Sequence, residues 1–599
     1  MPRTVLFSII LGLTFAPYSE AAGERILPDL EWTDLEGKSH RLSEPAGSKI
    51  TVFAFSGIGC PMVNLYAPKL ERLHQGYSPK GVRFFWINSN ALDTREEMAG
   101  EVKKFGISFP AVKDEGGRIA DILGAERTTD VFVVDSQRAL RYQGRIDTQY
   151  GIGYHREEAT ENFLTDALDA LLAGDPVKVV RTDPQGCIIA RDLDLKDPSS
   201  VTYAKHISRI LQRNCISCHR PGEVAPFSLL DYTSAKRRAE MLAEVINDRR
   251  MPPWHADESH GVFANKRALS RTEVELVNKW VENGAPEGDP KDLPDAPEFT
   301  EGWAIGTPDM ILEMPVECRV PAEGLMDYQY FGVKTELPED KWVKAIEVRP
   351  GNPSVVHHVL VFILYPKDRK GEQPDFKNGL NGFFASMVPG DAPAVYTDGC
   401  AKLLPKGATL IFQMHYTPNG TAAKDRSRIG LVFADGPVKK EVHTRGIANT
   451  KLRIPPHAPD HVEFAHEKFE RDAYLLAMLP HMHLRGKSFK YTAFYPDGSS
   501  EILLSVPKWD FGWQNAYRLA EPKRIPKGTR IECEAHWDNS AANPANPDPN
   551  AEVRFDEQTN DEMLIGYYDF YWADEDRTRV SEASSERSVP GEPEVARVK

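Results

Sequence analysis

The spacing of apolar positions changes character along the chain. Over residues 25–180, unbroken apolar runs at Ile50–Phe55, Val82–Ile87 and Val131–Val134 alternate with helical-period stretches such as Pro61–Gln75 and Glu157–Ala173. Short runs rich in β-branched and aromatic residues predict buried parallel strands. Their alternation with helices predicts an α/β domain with a mainly parallel sheet. Over residues 196–290 the strand runs vanish and helical periods dominate, as in Ser234–Asp248 and Thr272–Asn283, which predicts a small all-α domain. Residues 284–300, rich in Pro, Asp and Glu, read as a linker. From 305 to 575, short strand patterns separated by Pro/Gly turns predict two antiparallel β-sandwiches, 305–450 and 451–575. The charged stretch 576–599 reads as a disordered tail.

The first residues carry Arg3, an apolar run from Val5 to Phe15, and small residues at Ser19, Ala21 and Ala22. This is the layout of a secretory signal, 1–22, and the run is shorter than the roughly 20 residues a membrane span needs. The expectation is therefore an exported protein, periplasmic or extracellular, with no membrane span. A length of 599 residues accommodates several domains. A net charge of −15 with no basic cluster argues against a nucleic-acid partner. Seven cysteines are too few for a disulfide scaffold, and the odd count leaves at least one for other chemistry.

Within the helical segment lies Cys215-Ile216-Ser217-Cys218-His219. Two thiols at this spacing can form thioethers to a haem while the adjacent imidazole ligates its iron. A thioredoxin-type CxxC and half of a zinc site are the competing readings, although further thiols at metal spacing are not evident. The segment 196–290 resembles a small mono-haem cytochrome c. Met251 is the expected sixth ligand to one covalent haem c, with His255 as the alternative and Met241 a core residue.

Three histidine groups follow in the β-rich half: His357-His358, His415 in Gln-Met-His-Tyr, and His481-Met482-His483. Residues i and i+2 of a strand share a face, so His481 and His483 can converge on one ion. Adjacent His357 and His358 point to opposite faces of a regular strand, so joint ligation requires a bulge or a strand end. Imidazole and thioether suit copper, and imidazole alone suits zinc as well. The order HH, QMHY, PHMHLRG, then Asp561-Glu562-Met563 and Tyr567, resembles the type II copper monooxygenases of the peptidylglycine α-hydroxylating and dopamine β-monooxygenase type. The resemblance covers about residues 310–572. It implies two jelly-roll sandwiches, one copper at His357, His358 and His415 that relays electrons, and a second at His481, His483 and Met563 that meets O₂. Three departures limit the analogy. Leu479 stands where peptidylglycine enzymes carry a carboxylate-binding arginine. The family's dense disulfides are missing, with only Cys318, Cys400 and Cys533 in this half. Tyr567, which matches a substrate-contacting tyrosine, reads equally well as a core residue. The substrate, small molecule or peptide, is thus not identified, and an external electron donor is expected. His457, His461 and His466 read as a solvated linker between the sandwiches, and His536 as structural.

At the front, Phe53-Ala54-Phe55-Ser56-Gly57-Ile58-Gly59-Cys60-Pro61 places a thiol at a helix start, where the dipole lowers its pKa. The region resembles thioredoxin-like and peroxiredoxin-like (redoxin) domains over about 25–175. Val63 replaces the second cysteine of CxxC, Gly57 replaces the peroxidase Thr/Ser, and Thr129 stands at the usual cis-proline position. CxxC exchange is therefore not expected. Cys60 either pairs with Cys187, acts with an external resolving thiol, or lies in a scaffold domain. The functional expectation is an exported copper monooxygenase fed by its own haem. The alternatives are a copper-binding electron-transfer protein without oxygenase activity and a thiol enzyme using Cys60.

Overall fold

The computed structural model describes residues 25–43, 49–192, 201–299, 302–366, 379–380, 382–397 and 399–577. The expected signal 1–22 lies outside these residues, as does the expected tail apart from Asp576 and Arg577. Arg577 is held, its backbone N–H donating to the Lys439 carbonyl at 3.0 Å and its guanidinium pairing with Glu441 and Glu575.

Residues 25–192 build a five-stranded sheet in the spatial order Ala111–Lys113, Val82–Asn88, Ile50–Ser56, Val131–Asp135, Leu140–Gly144. Every residue of Ile50–Ser56 is buried, as expected of a central strand covered on both faces. Helices Pro61–Tyr77 and Phe163–Ala173 close one face, with Trp86 and Tyr142 among the core beneath them. The first three strands of the spatial order are parallel, but Val131–Asp135 runs antiparallel to Ile50–Ser56 and hairpins into Leu140–Gly144. The sheet is thus mixed, a correction to the parallel reading of Val131–Val134. The helix expected from Glu157 begins only at Phe163, because Thr160 and Glu161 donate backbone N–H groups to Thr148 Oγ1 at 3.0 Å each.

Residues 201–299 are helical. The pattern expected as one helix over Ser234–Asp248 is two, Tyr232–Lys236 and Ala239–Asn247. The chain breaks where Arg237 reaches Glu97 at 2.8 Å and Arg238 reaches the Ile58 carbonyl at 3.1 Å, both on the first domain. Helix Arg271–Glu282 starts in a capping box at Ser270 and buries Trp280 completely.

The β-rich half forms two sandwiches. In the first, a sheet ordered Gln329–Lys334, Thr409–Tyr416, Val356–Leu364, Phe383–Met387 faces one built around Lys341–Arg349 and Arg428–Phe433. In the second, His443–Ala448, Ile565–Trp572, Ala473–His481 and Tyr517–Ile525 face His461–Lys468, Arg530–Trp537, Gly486–Phe494 and Ser500–Val506. Strand His443–Ala448 pairs with Ile565–Trp572, so the second sandwich starts there rather than at 451. Far from forming a linker, His461 and His466 lie in an edge strand paired over eight positions with Arg530–Trp537. Its many charged and exposed positions protect an open edge, which is why it reads as solvated chain.

Candidate redox and metal sites

Strand Val356–Leu364 pairs with Thr409–Tyr416 through Val356↔Tyr416 and then His358↔His415, so one residue, His357, is extra. This bulge turns both adjacent histidines toward His415. The ring centroids stand 4.8 Å apart for His357–His415, 4.9 Å for His358–His415 and 5.1 Å for His357–His358. The Nδ1 atoms of His357 and His358 approach to 3.0 Å. One ligand atom from each of the three falls within 4.8 Å of the others. Burial holds His357 down at about 4 and His358 and His415 well below the ordinary imidazole range. All three are therefore neutral, the form a metal takes.

His481 ends strand Ala473–His481, opposite Ile565. Met563 lies two residues before the start of the partner strand Ile565–Trp572. Met563 is 4 % exposed and packs with Ile565 and Tyr567. His483 Nδ1 faces the Asp561 carbonyl oxygen at 3.1 Å, and His481 Nδ1 faces Gln514 Oε1 at 2.6 Å. Both oxygens only accept, so each ring carries its proton on Nδ1 and turns an Nε2 lone pair inward. Burial pushes His481 to about 4 and His483 to about 3. The turn between them is fastened by Glu562, whose carboxylate accepts from the backbone N–H of His483 at 2.9 Å and of Arg485 at 2.6 Å, and from Trp537 Nε1 at 3.0 Å.

The donor set fits a metal on the structure's own terms. Buried His358 Nε2, His415 Nδ1 and His483 Nε2 have no hydrogen-bond partner, an arrangement that is costly in a folded interior unless a ligand supplies one. The aromatic loop after Val506 joins the two sets. Phe511 stacks on His357 at 5.4 Å, meets His415 at 5.7 Å, and lies 6.3 Å from His483. Neither Phe511 nor Gln514 stands out as a ligand-type residue, although the run Trp509-Asp510-Phe511-Gly512-Trp513 in a turn is an unusual density of rings. Tyr567 is buried and donates its hydroxyl to the Gly379 carbonyl at 2.8 Å, across to the first sandwich. Glu441, His443 and Glu575 also cluster, but the Arg577 guanidinium occupies that site.

Cys215 follows helix Ser208–Asn214 directly, and a tight turn brings the His219 N–H to the Cys215 carbonyl at 2.9 Å. No disulfide joins the two cysteines. His219 Nδ1 faces the Phe227 carbonyl at 3.3 Å, and burial lowers this imidazole to about 4. It is thus neutral with Nε2 free, as an iron ligand requires. Met251 is half-buried, its N–H bonded to the Val245 carbonyl at 3.1 Å. Buried His255 Nε2 has no partner. The segment docks on both sandwiches, where Arg267 bonds the Gly390 carbonyl at 2.7 Å, Asp391 at 3.2 Å and Asn515 at 2.9 Å.

In the first domain Cys60 caps helix Pro61–Tyr77 and is buried. Its Sγ lies 3.0 Å from Thr128 Oγ1, and Cys187 lines the same small cleft. A Cβ at Gly57 would meet Asn90 Nδ2 at 2.5 Å and Thr128 Cγ2 at 2.6 Å, so the site leaves no room for a side chain at 57, and the hydroxyl beside Cys60 is that of Thr128. Thr129 adopts φ +68°, a costly conformation for a β-branched residue, beside this site.

A thioredoxin-like architecture with a cysteine at the start of its first long helix defines the class of the N-terminal domain. The Redoxin family model matches residues 21–153. Thiol-disulfide oxidoreductase ResA of Halalkalibacterium halodurans is 31% identical over 126 residues, 20% of this chain and 69% of that protein. ResA of Geobacillus thermodenitrificans is 26% identical over 147 residues, 23% and 83% of the two chains. Among solved structures, hypothetical protein SMc02350 from Sinorhizobium meliloti 1021 is 30% identical, covering 29% of this chain and 96% of that one at a TM-score of 0.27. Through this domain the chain belongs to the redoxin family, and a redox function is its coarse assignment. Among the described residues no helix is long and apolar enough to cross a membrane.

Proposed function

We propose that this protein is an exported copper monooxygenase that hydroxylates a C–H bond, with electrons delivered through its own c-type haem. The observation that carries the reading is the bulge-built trio of neutral histidines, two of them buried with a ring nitrogen left unpartnered, facing a second histidine pair across one phenylalanine. His357, His358 and His415 would hold one copper, and His481, His483 and Met563 the other. Cys215, Cys218 and His219 would hold the haem. When bound, the metals supply one-electron relay and O₂ activation, the soft Met563 thioether favouring Cu(I) at its site. The chain's own part is positional. Glu562 and Gln514 orient the second pair of imidazoles, Phe511 excludes water between the sets, and Arg267 holds the haem segment against the residue next to Gln514. Leu479 offers no charge for a substrate carboxylate, so a peptide C-terminus is not the favoured substrate.

The test is copper per haem in protein matured in an exporting, haem-attaching host. Two coppers per haem, falling to one in Met563→Ile, support the proposal. One copper or none, or zinc in its place, favours the alternative of a copper-binding electron-transfer protein without oxygenase chemistry.

A further inference from the structure

Beside the second histidine pair, one sheet face carries apolar side chains that belong to neither ligand set. Strand Ile565–Trp572 lies between His443–Ala448 and Ala473–His481, and its register sets two rows across the sheet. Ala448, Ile565 and His481 form one row, and Gly446, Tyr567 and Leu479 form the next. Opposed residues of paired strands point to the same side, so Leu479, Ile565 and Tyr567 share the face of His481. The His481 and Tyr567 rings stand 6.2 Å apart, and Met563 belongs to one apolar cluster with Ile565 and Tyr567.

The first sandwich supplies the facing wall. Phe383 lies tilted against Tyr567 with ring centroids 5.0 Å apart, and Leu380 packs into the same cluster. Leu380, Phe383, Leu479 and Phe555 are half-buried, whereas Met563, Ile565 and Tyr567 are 4 %, 0 % and 3 % exposed. Four accessible hydrocarbon side chains thus border a closed floor that ends at the Met563 thioether. The polar groups nearby are already engaged. Tyr567 donates its hydroxyl to the Gly379 carbonyl at 2.8 Å. Lys402 Nζ, 5.9 Å from the Phe383 ring centroid, donates to the Phe384 carbonyl at 2.8 Å and Thr444 Oγ1 at 2.7 Å, and stands 3.7 Å from Asp569. An ionised group placed on this edge would lose water without gaining a partner, whereas a hydrocarbon would only lose water.

We propose that this edge is the substrate subsite and that it takes a neutral, apolar organic molecule. Leu479 and His481 are two strand residues, about 7 Å, apart, roughly the length of a small substituted ring. A molecule of that size lying along Leu479 and Tyr567 reaches His481 and Met563 at its far end. Leu479 and Phe383 are the specificity-determining residues, because each fills with hydrocarbon a position from which a charged side chain would pair with an ionised substrate. The choice of this face rests on the copper monooxygenase reading, whereas the preference for an uncharged occupant rests on the side chains themselves.

The experiment titrates full-length, haem-attached protein by calorimetry with toluene, benzoate and benzylamine, three probes of one shape that differ in charge. It is run with Cu(I) loaded under argon and again after copper is removed by chelation, each at two temperatures. In both states toluene binds about tenfold or more tightly than either ion, with the negative heat-capacity change of apolar burial. Leu479→Arg places a guanidinium on the half-buried edge, so benzoate gains about tenfold and toluene loses affinity. Phe383→Ala, which only shortens a half-buried ring, serves if Leu479→Arg does not fold, and it weakens toluene while leaving both ions unchanged. Toluene binding without detectable heat overturns the proposal. So do benzoate or benzylamine binding as tightly as toluene, and a toluene affinity unmoved by the substitutions. Metal analysis of the same samples separates the two conclusions. Two coppers per haem with no toluene preference removes the apolar subsite and leaves the oxygenase. A toluene preference in protein that loads no copper leaves the apolar site standing and overturns the oxygenase.

Discussion

Gln514 offers a sharp separation between the two histidine sets. Its Oε1 accepts from His481 Nδ1 at 2.6 Å in a site only 8 % exposed, and its own Nε2 is spent on the Phe511 carbonyl at 3.3 Å, which fixes the amide orientation. Gln514→Leu removes the acceptor and leaves a buried N–H without a partner, at a cost of about 1–3 kcal/mol. Losing an outer partner of a ligating histidine typically lowers metal affinity by about 10–100-fold. His357, His358 and His415 make no bond to Gln514 and keep their affinity. Anaerobic competition of Cu(I)-loaded protein with a chromophoric chelator should therefore release one equivalent at about 10–100-fold lower chelator concentration than in wild type, with the second equivalent unmoved. Gln514→Glu, which retains an acceptor, should leave both equivalents near their wild-type positions. If both equivalents shift together in Gln514→Leu, or neither does, the hydrogen bond does not orient a separate metal site and the reasoning fails.

Other consequences are equally direct. Phe511→Ala should lower the melting temperature by a few degrees, each lost aromatic contact being worth about 0.5–1.5 kcal/mol, while copper stoichiometry is retained. Loss of a copper would mean that the ring holds the ligands themselves. Asp130 is buried with Oδ1 unpartnered, and burial raises its carboxyl to about 8. The folded state therefore keeps a proton that the unfolded chain releases above about pH 4. That stability is fully present below pH 4 and lost as pH rises through 8. Asp130→Asn should raise the urea midpoint at pH 8, by about 1–3 kcal/mol in stability, and make no difference near pH 4; equal behaviour at both pH values would contradict the assignment. Trp280 is fully buried with its indole N–H on the Pro286 carbonyl at 3.0 Å. Trp280→Ala should cost about 3–5 kcal/mol and reduce covalent haem per chain, measured as pyridine haemochrome. Unchanged haem yield would separate haem attachment from the stability of this segment.

Much of the architecture is legible in local pattern. Fully buried runs such as Ile50–Phe55 announce a central strand, and the need for a bulge at His357-His358 follows from strand geometry alone. What pattern cannot carry is strand direction, which for Val131–Asp135 is decided by the hairpin into Leu140–Gly144. Periodicity likewise misreads the charged edge strand His461–Lys468, because its apolar positions Val462 and Phe464 lie exposed. The site residues divide the same way. Ligand-type side chains announce themselves by chemistry, whereas Gln514, Phe511 and Thr128 act only through where the chain folds back. The Gly57 position shows this most clearly, for the hydroxyl beside Cys60 comes instead from Thr128, in the turn before strand Val131–Asp135.

The bulge at His357 has a genetic implication. Removing that residue would restore an unbroken ladder in which His358 still faces His415, leaving two imidazoles and an ordinary sandwich. A single inserted codon in such an ancestor is enough to add a third donor. Tridentate binding can thus arise in one mutational event without disturbing the rest of the sheet.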